Sequence, residues 1–488
     1  MRLSSLLKGL SDIETLNFKD LEITSVSCDS RKCRPGAVFF AIKGARLCGR
    51  DFIPDAHMRG ARVFVCEEKT NVFDDSVTIY SKNIRKTLAE MCSRMSGNPE
   101  KRLMFVGITG TKGKTTTAYI TAKILDGIGV SNLMIGTLGI GKLEEEAVNT
   151  TPDPTLLFPV LKEACHRGIK VIVLEVSSQA LRDFRVHGIV FDCVVFTGLG
   201  QDHIGASEHP TFSDYVASKR ALFHSYGAKR AVVNFDDPYS SYMSAGIPKV
   251  IKCGFTEGAE LQIKDFKDGE NGSVFKLNGD EIKSLLSGRY NARNIALAIG
   301  AVREIWGTTV EESAQHIEWV SVPGRFNVYE MAGKKIVVDY AHNSDSMREV
   351  LTLAGRLFGG RIICVFGSVG DRSFSRRGEL AGVAEKYADF SVITTDNPGF
   401  EFPLGICADI YGAFTDKTLA RIVPDRASAI DYALSIADTG DTVMILGKGH
   451  ERSINICGKS IPFSDTEYVK ELCVKARPDV SQQTYLRQ

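Results

Sequence analysis

The amino-acid sequence predicts an α/β protein of three domains, in which a small mixed domain precedes two larger domains built on parallel sheets. The first observation is length, because 488 residues are too many for one hydrophobic core. The second is that two long stretches alternate apolar strands with helical segments, as parallel sheets covered by helices do. The third is an N-terminal stretch of short strands separated by turn residues. We expect domains at residues 1–98, 99–327 and 328–488.

The composition is typical of a soluble globular protein, with 43% hydrophobic and 24% charged residues. Lys and Arg number 60 against 59 Asp and Glu, so no overall field attracts nucleic acid or an anionic membrane. The apolar run in the opening MRLSSLLKGL is shorter than the apolar segment of a signal peptide. The twelve cysteines lack the spacing of metal ligands. We expect a cytoplasmic protein without nucleic-acid or membrane partners, and a monomer because no long heptad pattern is present.

The first domain is predicted from two β-rich runs, AVFFAIKG and RVFVCEE, with turn residues such as Pro35 and Gly36 between strands. A polar stretch, SGNP at 96–99, then precedes the strongly apolar strand LMFVGIT. We interpret this stretch as the boundary between the first and second domains.

The second domain is predicted from the strands LMFVGIT, KVIVLEV, CVVFTGL and RAVVNF, which are interleaved with helical segments such as TTTAYITAKILDGIG. Between Gly254 and Leu285 the pattern is more typical of hairpins on a sheet edge. The strands KKIVVDYAHN, RIICVFGSVG, FSVITTDN and DTVMILGKGH then start a third, Rossmann-like α/β domain.

A glycine-rich segment, GITGTKGKTTT at Gly107–Thr117, lies between a strand and a helix, the context of a phosphate-binding loop. Glycines let backbone N–H groups approach phosphates, Lys114 adds positive charge, and the Thr115 hydroxyl is a ligand suited to Mg²⁺. The central domain is therefore predicted to be a P-loop ATPase domain. The predicted ATP-binding residues of the loop are Gly110, Thr111, Lys112, Gly113, Lys114, Thr115 and Thr116.

Further motifs decide which class of nucleotide-binding protein this is. The loop GTKGKT is shorter than an ordinary Walker loop, and it is followed by EVSS, QDHIGASEHP and YVASKRALF. Together these segments resemble the Mur ligase family, whose relatives include the folylpolyglutamate synthetases. The resemblance implies that Thr115, Glu175, His203 and Lys219 are metal ligands at the ATP phosphates. It also implies two Mg²⁺ ions, and a carbamate on Lys219, formed from CO₂, as an anionic metal ligand.

Three later motifs continue the resemblance in family order. GRYNARNIALAIGA is similar to the helix whose asparagine contacts adenine, which here implies Asn294. VPGR implies that Arg325 contacts the γ-phosphate, and VVDYAHN implies that Asp339 holds the ribose. On this basis the predicted catalytic residues are Lys114, Glu175, His203, Lys219 and Arg325.

Other segments resemble substrate-binding motifs of the same family. CDSRKCRPGAVFFAIKG resembles its uridine-nucleotide module, and NTTPDP and EVSS resemble loops around a muramyl peptide. GDR, DNP and GKGHE resemble segments that surround an incoming amino acid. The implied substrate-binding residues are Ser30, Thr150, Thr151, Ser178, Arg185, Arg372, Asp396, Asn397, Gly447 and Glu451.

The resemblance implies an ATP-dependent ligase that adds an amino acid to the D-Glu γ-carboxylate of UDP-MurNAc-L-Ala-D-Glu through an acyl phosphate. Members that add meso-diaminopimelate carry an Arg after DNP, and this chain has Gly399. A second carboxylate would lack a compensating charge there, so we expect L-lysine. Diaminopimelate, ornithine or another amino acid remain open, as do an ATP-hydrolysing switch and a UDP-sugar-binding scaffold. The sequence departs from relatives at Cys48, Arg50, Gln179, Gly198 and Ser344.

Overall fold

The computed structural model describes residues 1–44, 47–69, 72–141, 149–200, 209–370 and 374–476. The chain divides into two compact units. Unit 1 comprises Met1–Phe266, Phe275–Ile282 and Arg289–Glu318, and unit 2 comprises Lys267–Val274, Lys283–Gly288 and Trp319–Gln488. Parallel sheets with helices packed on them dominate the structure, which confirms the predicted α/β class. Among the described helices, none is both long and apolar enough to cross a membrane.

The first sheet has five strands in the order β1-β5-β4-β3-β2. Strands β2 to β5 are parallel, and β1 pairs antiparallel with β5 at one edge. Strands β3 and β4 are buried on both faces, since their residues are apolar throughout rather than alternating. The elements are β1 (Ile13–Leu16), β2 (Ser25–Ser27), β3 (Ala37–Phe40), β4 (Val63–Cys66), β5 (Val77–Ser81), α1 (Leu3–Leu7), α2 (Ile53–Met58) and α3 (Ile84–Met95).

The second sheet has ten strands in the order β15-β14-β13-β12-β11-β10-β6-β9-β7-β8. Its strands are β6 (Met104–Thr109), β7 (Asn132–Gly136), β8 (Gly139–Ile140), β9 (Val171–Glu175), β10 (Cys193–Phe196), β11 (Arg230–Asn234), β12 (Lys249–Gly254), β13 (Leu261–Gly269), β14 (Gly272–Leu277) and β15 (Asp280–Ser284). Its helices are α4 (Lys114–Gly127), α5 (Pro154–His166), α6 (Ser178–Arg182), α7 (Phe212–His224), α8 (Ser240–Ser244), α9 (Arg289–Trp306) and α10 (Val310–Ala314).

The order of the second sheet positions the candidate site. Strand β6 lies between β9 and β10 and runs parallel to both. The carboxyl ends of these three strands therefore meet at one edge, which is where ligands bind in such sheets. Strands β13, β14 and β15 are consecutive neighbours at the edge of the sheet that is farther from β6. This agrees with the edge position that the sequence predicted for 254–285.

The third sheet has six strands in the order β16-β17-β21-β18-β19-β20, antiparallel only at the β16 edge. Apolar clusters cover both of its faces. The strands are β16 (Asn327–Met331), β17 (Lys334–Asp339), β18 (Ile362–Phe366), β19 (Phe390–Ile393), β20 (Ala420–Ile422), β21 (Thr442–Leu446) and the separate hairpin β22 (Ser453–Ile456) and β23 (Lys459–Pro462). The helices are α11 (Ser344–Leu357), α12 (Ser375–Tyr387), α13 (Pro403–Ala413), α14 (Arg426–Ile436) and α15 (Asp465–Lys475).

A fully buried ion pair joins helices α14 and α15 to this sheet. The Arg426 guanidinium donates to both Asp465 carboxylate oxygens at 2.7 and 2.8 Å, and the two side chains are 1% and 0% exposed. Arg426 also donates to the carbonyls of Thr395 and Leu446, where β19 and β21 end. One buried cation thus fixes the starts of the two loops that follow these strands.

We expect Asp465→Ala to lower the free energy of unfolding by about 3–5 kcal/mol, because it leaves the Arg426 charge buried without its partner. Urea unfolding, together with amide hydrogen exchange in β19 and β21, measures this loss. The control is Asp438→Ala, which removes an Arg361 partner whose side chain is 86% exposed and should change stability far less. Equal effects of the two substitutions would show that burial of the pair does not matter.

Candidate active site

The phosphate loop predicted from the sequence joins β6 to α4. Gly113, at φ +82°, precedes the first residue of α4, so the helix N-terminus and its exposed N–H groups face the loop. At Gly110 a Cβ atom would collide with the Thr197 hydroxyl, so only glycine fits. The Lys114 ammonium donates to the carbonyls of Gly110 and Thr111 at 2.9 and 3.1 Å. The loop therefore has the geometry of an anion-binding cradle with a lysine folded over it.

The Glu175 carboxylate is fully buried where β9 ends, beside β6. It accepts hydrogen bonds from the Thr115 hydroxyl at 2.9 Å, the Thr137 amide at 2.9 Å and the Thr137 hydroxyl at 3.1 Å. A Cβ atom at Gly136 would collide with this carboxylate, so a glycine is required where β7 ends. Thr115 and Glu175, predicted as metal ligands, are thus in direct contact, whereas Thr137 was missed.

Lys219 extends from α7 to the same loop. Its side chain is 1% exposed, its ammonium donates to the Gly110 carbonyl at 2.8 Å, and it lies 4.5 Å from the centre of the Tyr215 ring. Tyr215 in turn hydrogen-bonds the Thr111 hydroxyl at 2.9 Å. Lys114 and Lys219 therefore share one carbonyl oxygen, an arrangement in which two like charges repel each other.

The predicted metal ligand His203 and the predicted amino-acid ligand Arg372 lie outside the described residues. In the described ranges, no three His, Cys, Asp or Glu side chains cluster as metal ligands, and Glu175 is the only predicted ligand of those types there. The Thr115 hydroxyl and the Glu175 carboxylate offer hard oxygen donors at the phosphate loop. These donors fit Mg²⁺, which prefers oxygen ligands and substrate phosphates.

The predicted adenine contact, Asn294, is buried where α9 packs against α4. A Cβ atom at Gly113 would lie 2.5 Å from its side-chain oxygen, and the Thr117 hydroxyl donates to that oxygen at 3.4 Å. The side-chain amide of Asn294 donates to Asn291 at 3.4 Å. The structure thus brings Asn294 to the phosphate loop.

Several residues predicted to bind the muramyl peptide surround the Glu175 end of β9. The Thr151 hydroxyl donates to the Glu175 backbone carbonyl at 2.8 Å, and the Thr150 hydroxyl contacts Thr137 at 3.2 Å. Arg185 donates to the Thr151 carbonyl at 3.0 Å, and its buried Nε has no hydrogen-bond partner within the described chain. This N–H is available to an acceptor on a ligand.

Other predicted contacts and departures lie around this cluster. The Ser178 hydroxyl is buried and hydrogen-bonded to His209. Gln179, a departure from relatives, donates to Asp183 at 3.1 Å. The Gly198 carbonyl, at another departure, accepts from the Thr111 amide at 2.8 Å. Asp183 also accepts from Arg185, so it joins the predicted Arg185 to Gln179, and sequence reasoning did not single it out.

Ser30 and the departures Cys48 and Arg50 lie in the first sheet's region of unit 1. Ser30 is buried, and its hydrogen bond is the main cause that lowers the pKa of Asp55. Arg50 forms an ion pair with Glu68. Both side chains of this pair are exposed.

In unit 2 the predicted Arg325 and Asp339 are neighbours. The Arg325 guanidinium stacks 4.4 Å from the centre of the Tyr340 ring. The two oxygens of Asp339 accept from the amides of Phe326 and Ala341, each at 2.7 Å. Burial raises the pKa of the Asp339 carboxyl, while Arg325 and the two amides oppose the rise. Both predicted residues therefore lie together where the segment before β16 meets the carboxyl end of β17.

The predicted amino-acid contacts form a second cluster in unit 2. Glu451 accepts from the Lys448 ammonium at 2.6 Å and from the Asn397 amide at 2.8 Å. A Cβ atom at Gly447 would lie 2.5 Å from an Asp396 oxygen. Lys448 is fully buried, and sequence reasoning missed it although it lies inside GKGHE.

Gly399 adopts the left-handed conformation at φ +61°. Its amide donates to the Asn455 carbonyl at 3.2 Å, and its carbonyl accepts from the Cys457 amide at 2.6 Å. The hairpin of β22 and β23 thus holds the loop that follows β19. A side chain at this position would meet the left-handed backbone penalty, which glycine avoids.

Comparisons with known proteins agree with these motifs along the chain. The model described as "Mur ligase family, catalytic domain" matches residues 22–95, "Mur ligase middle domain" matches 108–302, and "Mur ligase, glutamate ligase domain" matches 324–449. The UDP-N-acetylmuramoyl-L-alanyl-D-glutamate–2,6-diaminopimelate ligase of Aquifex aeolicus is 37% identical over 94% of this chain and 95% of its own length. The Bacillus cereus protein of the same name is 35% identical, over 96% and 98%.

Two solved structures of ligases also match this chain. A UDP-N-acetylmuramoyl-L-alanyl-D-glutamate–2,6-diaminopimelate ligase structure matches with a TM-score of 0.67 at 26% identity, covering 97% of this chain and 99% of that one. The fold also matches the MurF ligase of Thermotoga maritima in complex with ADP, with a TM-score of 0.60 at 22% identity, over 88% of this chain and 95% of that one.

We expect Gly113→Ala to weaken ADP binding at least about tenfold, because the new Cβ atom would crowd Asn294 and deform the phosphate loop. Titration calorimetry with ADP measures the change. Gly129→Ala is the matched control, since Gly129 follows the same helix at φ +74° with open space around its Cβ position. It should lose stability through the same backbone strain and keep its nucleotide affinity. Equal ADP affinity in both variants would contradict the assigned loop geometry.

Proposed function

This chain belongs to the Mur ligase family, and from that membership we propose that it is an ATP-dependent ligase acting on UDP-MurNAc-L-Ala-D-Glu. It joins an amino acid to the D-Glu γ-carboxylate of this nucleotide. The observation that carries the proposal is the convergence of Lys114, Lys219, Thr115 and Glu175 at the carboxyl ends of β6 and β9. Relatives of 32–37% identity over nearly the full chain are named for this acceptor. A cytoplasmic location and a monomeric state stay predictions.

The chain's residues serve this reaction by binding and neutralising phosphates. Lys114 and the N-terminus of α4 stabilise the negative charge that develops as the γ-phosphoryl group moves to the acceptor carboxylate. The product is an acyl phosphate and ADP. The amine of the second substrate then attacks the acyl carbon, and phosphate leaves as the amide forms. Arg325 would contact the γ-phosphate, which is a fitting role for a guanidinium.

Two Mg²⁺ ions are part of the proposal. Bound Mg²⁺ would supply positive charge to the phosphate oxygens. The Thr115 hydroxyl, the Glu175 carboxylate, His203 and a carbamate on Lys219 would hold the ions. The buried position of Lys219 beside Lys114 supports the carbamate, because conversion of one ammonium into an anion removes the repulsion between them.

The identity of the added amino acid depends on the cluster around Glu451. The relatives named above add 2,6-diaminopimelate, whereas Gly399 brings no charge for a second carboxylate, which favours L-lysine. Glu451 is an anion that could receive a side-chain ammonium, although Lys448 already donates to it. L-lysine, ornithine and meso-diaminopimelate are therefore the amines to compare, and all three are consistent with the ligase activity itself.

The reaction predicts phosphate release that requires both the acceptor and an amine. Wild-type protein with Mg-ATP and UDP-MurNAc-L-Ala-D-Glu is assayed with each of the three amines separately, and product masses are determined. We expect one amine to stimulate release at least about tenfold, with a matching amide product. ATP turnover that needs neither substrate would favour a switch protein instead. Stimulation by diaminopimelate alone would show that Gly399 does not exclude it.

The carbamate predicts a specific spectroscopic signal. Wild-type protein in ¹³C-bicarbonate should give a carbamate carbon resonance that Lys219→Arg lacks. Lys219→Ala should lower turnover at least about 100-fold, since a stabilising group for the phosphoryl transfer is lost. Lys123→Ala, on the exposed side of α4, is the control and should keep wild-type turnover. Near wild-type turnover in Lys219→Arg would argue against the carbamate.

A further inference from the structure

His209 is a buried histidine that the proposed mechanism does not use. It is 1% exposed, and both ring nitrogens have partners. Nδ1 lies 2.6 Å from a carboxylate oxygen of Asp214, in the first turn of α7. Nε2 lies 3.0 Å from the hydroxyl of Ser178, the first residue of α6. The imidazole thus bridges the helix that carries Lys219 and the turn that follows Glu175.

The partners of His209 fix its tautomer. Burial lowers the pKa of His209, although Asp214 opposes the shift, and this direction favours the neutral ring. The other charged groups that act on it are Arg182 and Lys219, and both favour the neutral form. A carboxylate only accepts, so the proton is on Nδ1 and Nε2 is an acceptor. The Ser178 hydroxyl must then donate to Nε2, which leaves its oxygen lone pairs for a ligand N–H.

Tyr215, which follows Asp214, connects the His209 ring to the phosphate loop. The ring of Tyr215 lies 5.3 Å from the His209 ring, centre to centre, and its hydroxyl contacts Thr111. On the other side, Ser178 follows Ser177, whose amide donates to the Thr151 hydroxyl at 3.0 Å. His209 therefore lies between the loop that binds ATP phosphates and the residues predicted to bind the acceptor peptide.

We propose that His209 is a positioning residue for the acceptor, which orients the Ser178 hydroxyl so that its oxygen accepts from a peptide N–H of the bound dipeptide. The inference rests on the proposed function and adds a residue to it. A serine held in this way recognises an amide N–H rather than a carboxylate, which suits the L-Ala-D-Glu portion of the acceptor. Asp214 acts indirectly by fixing the ring.

Two substitutions separate the two hydrogen bonds of the ring. His209→Asn keeps an amide near the Nδ1 position facing Asp214 and removes the partner of Ser178. His209→Gln keeps an amide near the Nε2 position facing Ser178. We expect His209→Asn to raise KM for UDP-MurNAc-L-Ala-D-Glu about tenfold, with KM for ATP and for the amine unchanged. His209→Gln should recover most of the loss.

The coupling to Ser178 is tested with Ser178→Ala and the double variant. If His209 acts through Ser178, the double variant has the same acceptor KM as either single variant, within about twofold. His224→Asn is the matched control, because His224 lies on the same helix and hydrogen-bonds the Met243 carbonyl. It reports damage to α7 and should leave the acceptor KM unchanged.

The outcomes are distinct. Multiplied effects of His209→Asn and Ser178→Ala, or a rise in KM for ATP equal to that for the acceptor, would overturn the positioning role while leaving the ligase activity in place. The same applies if His224→Asn reproduces the effect. If wild-type protein shows no acceptor-dependent turnover with any amine, the proposed function fails and the role of His209 fails with it.

Discussion

The buried carboxylate of Glu175 is the constraint on which the candidate site depends. A carboxylate without water is stable only when hydrogen bonds satisfy it, and here a hydroxyl from α4 and the amide and hydroxyl after β7 do so. These donors come from two segments, α4 after β6 and Thr137 after β7, which meet at Glu175 because β9 lies between β6 and β7 in the sheet. The close approach also explains the glycine at 136, where no side chain fits. Satisfying one charge thus aligns the phosphate loop with the strand ends around it.

Two cations at the phosphate loop also share one hydrogen-bond acceptor. Lys114 and Lys219 both donate to the Gly110 carbonyl, so the loop conformation and the position of α7 depend on each other. Tyr215 adds a second connection through Thr111, and its neighbour His209 extends it to Ser178. A ligand that attracts either lysine would therefore act on the whole connected set. Such mutual dependence suits a site that must bind phosphates before it holds an acceptor carboxylate.

In unit 2, a buried cation holds the loops around the second cluster in place. Arg426 is neutralised by Asp465 and donates to the carbonyls at the ends of β19 and β21. The loops that begin there carry Asn397 and Glu451, which contact each other and Lys448. In both units, therefore, a buried charge held by several hydrogen bonds connects the loops that carry the proposed chemistry.

The sequence by itself determined the α/β class, the strand–loop–helix around Lys114 and the residues that identify the Mur ligase family, because these features are encoded in short, contiguous patterns. It also indicated Thr115 and Glu175 as metal ligands, through the family motifs. It did not indicate Thr137, His209 or Lys448. Each has a partner that strand order or helix packing brings from far along the chain: Glu175 lies 38 positions from Thr137, Ser178 lies 31 from His209, and Asn397 lies 51 from Lys448. Only the tertiary structure decides such contacts, because a single Thr, His or Lys has no local pattern that reveals which buried group it will satisfy.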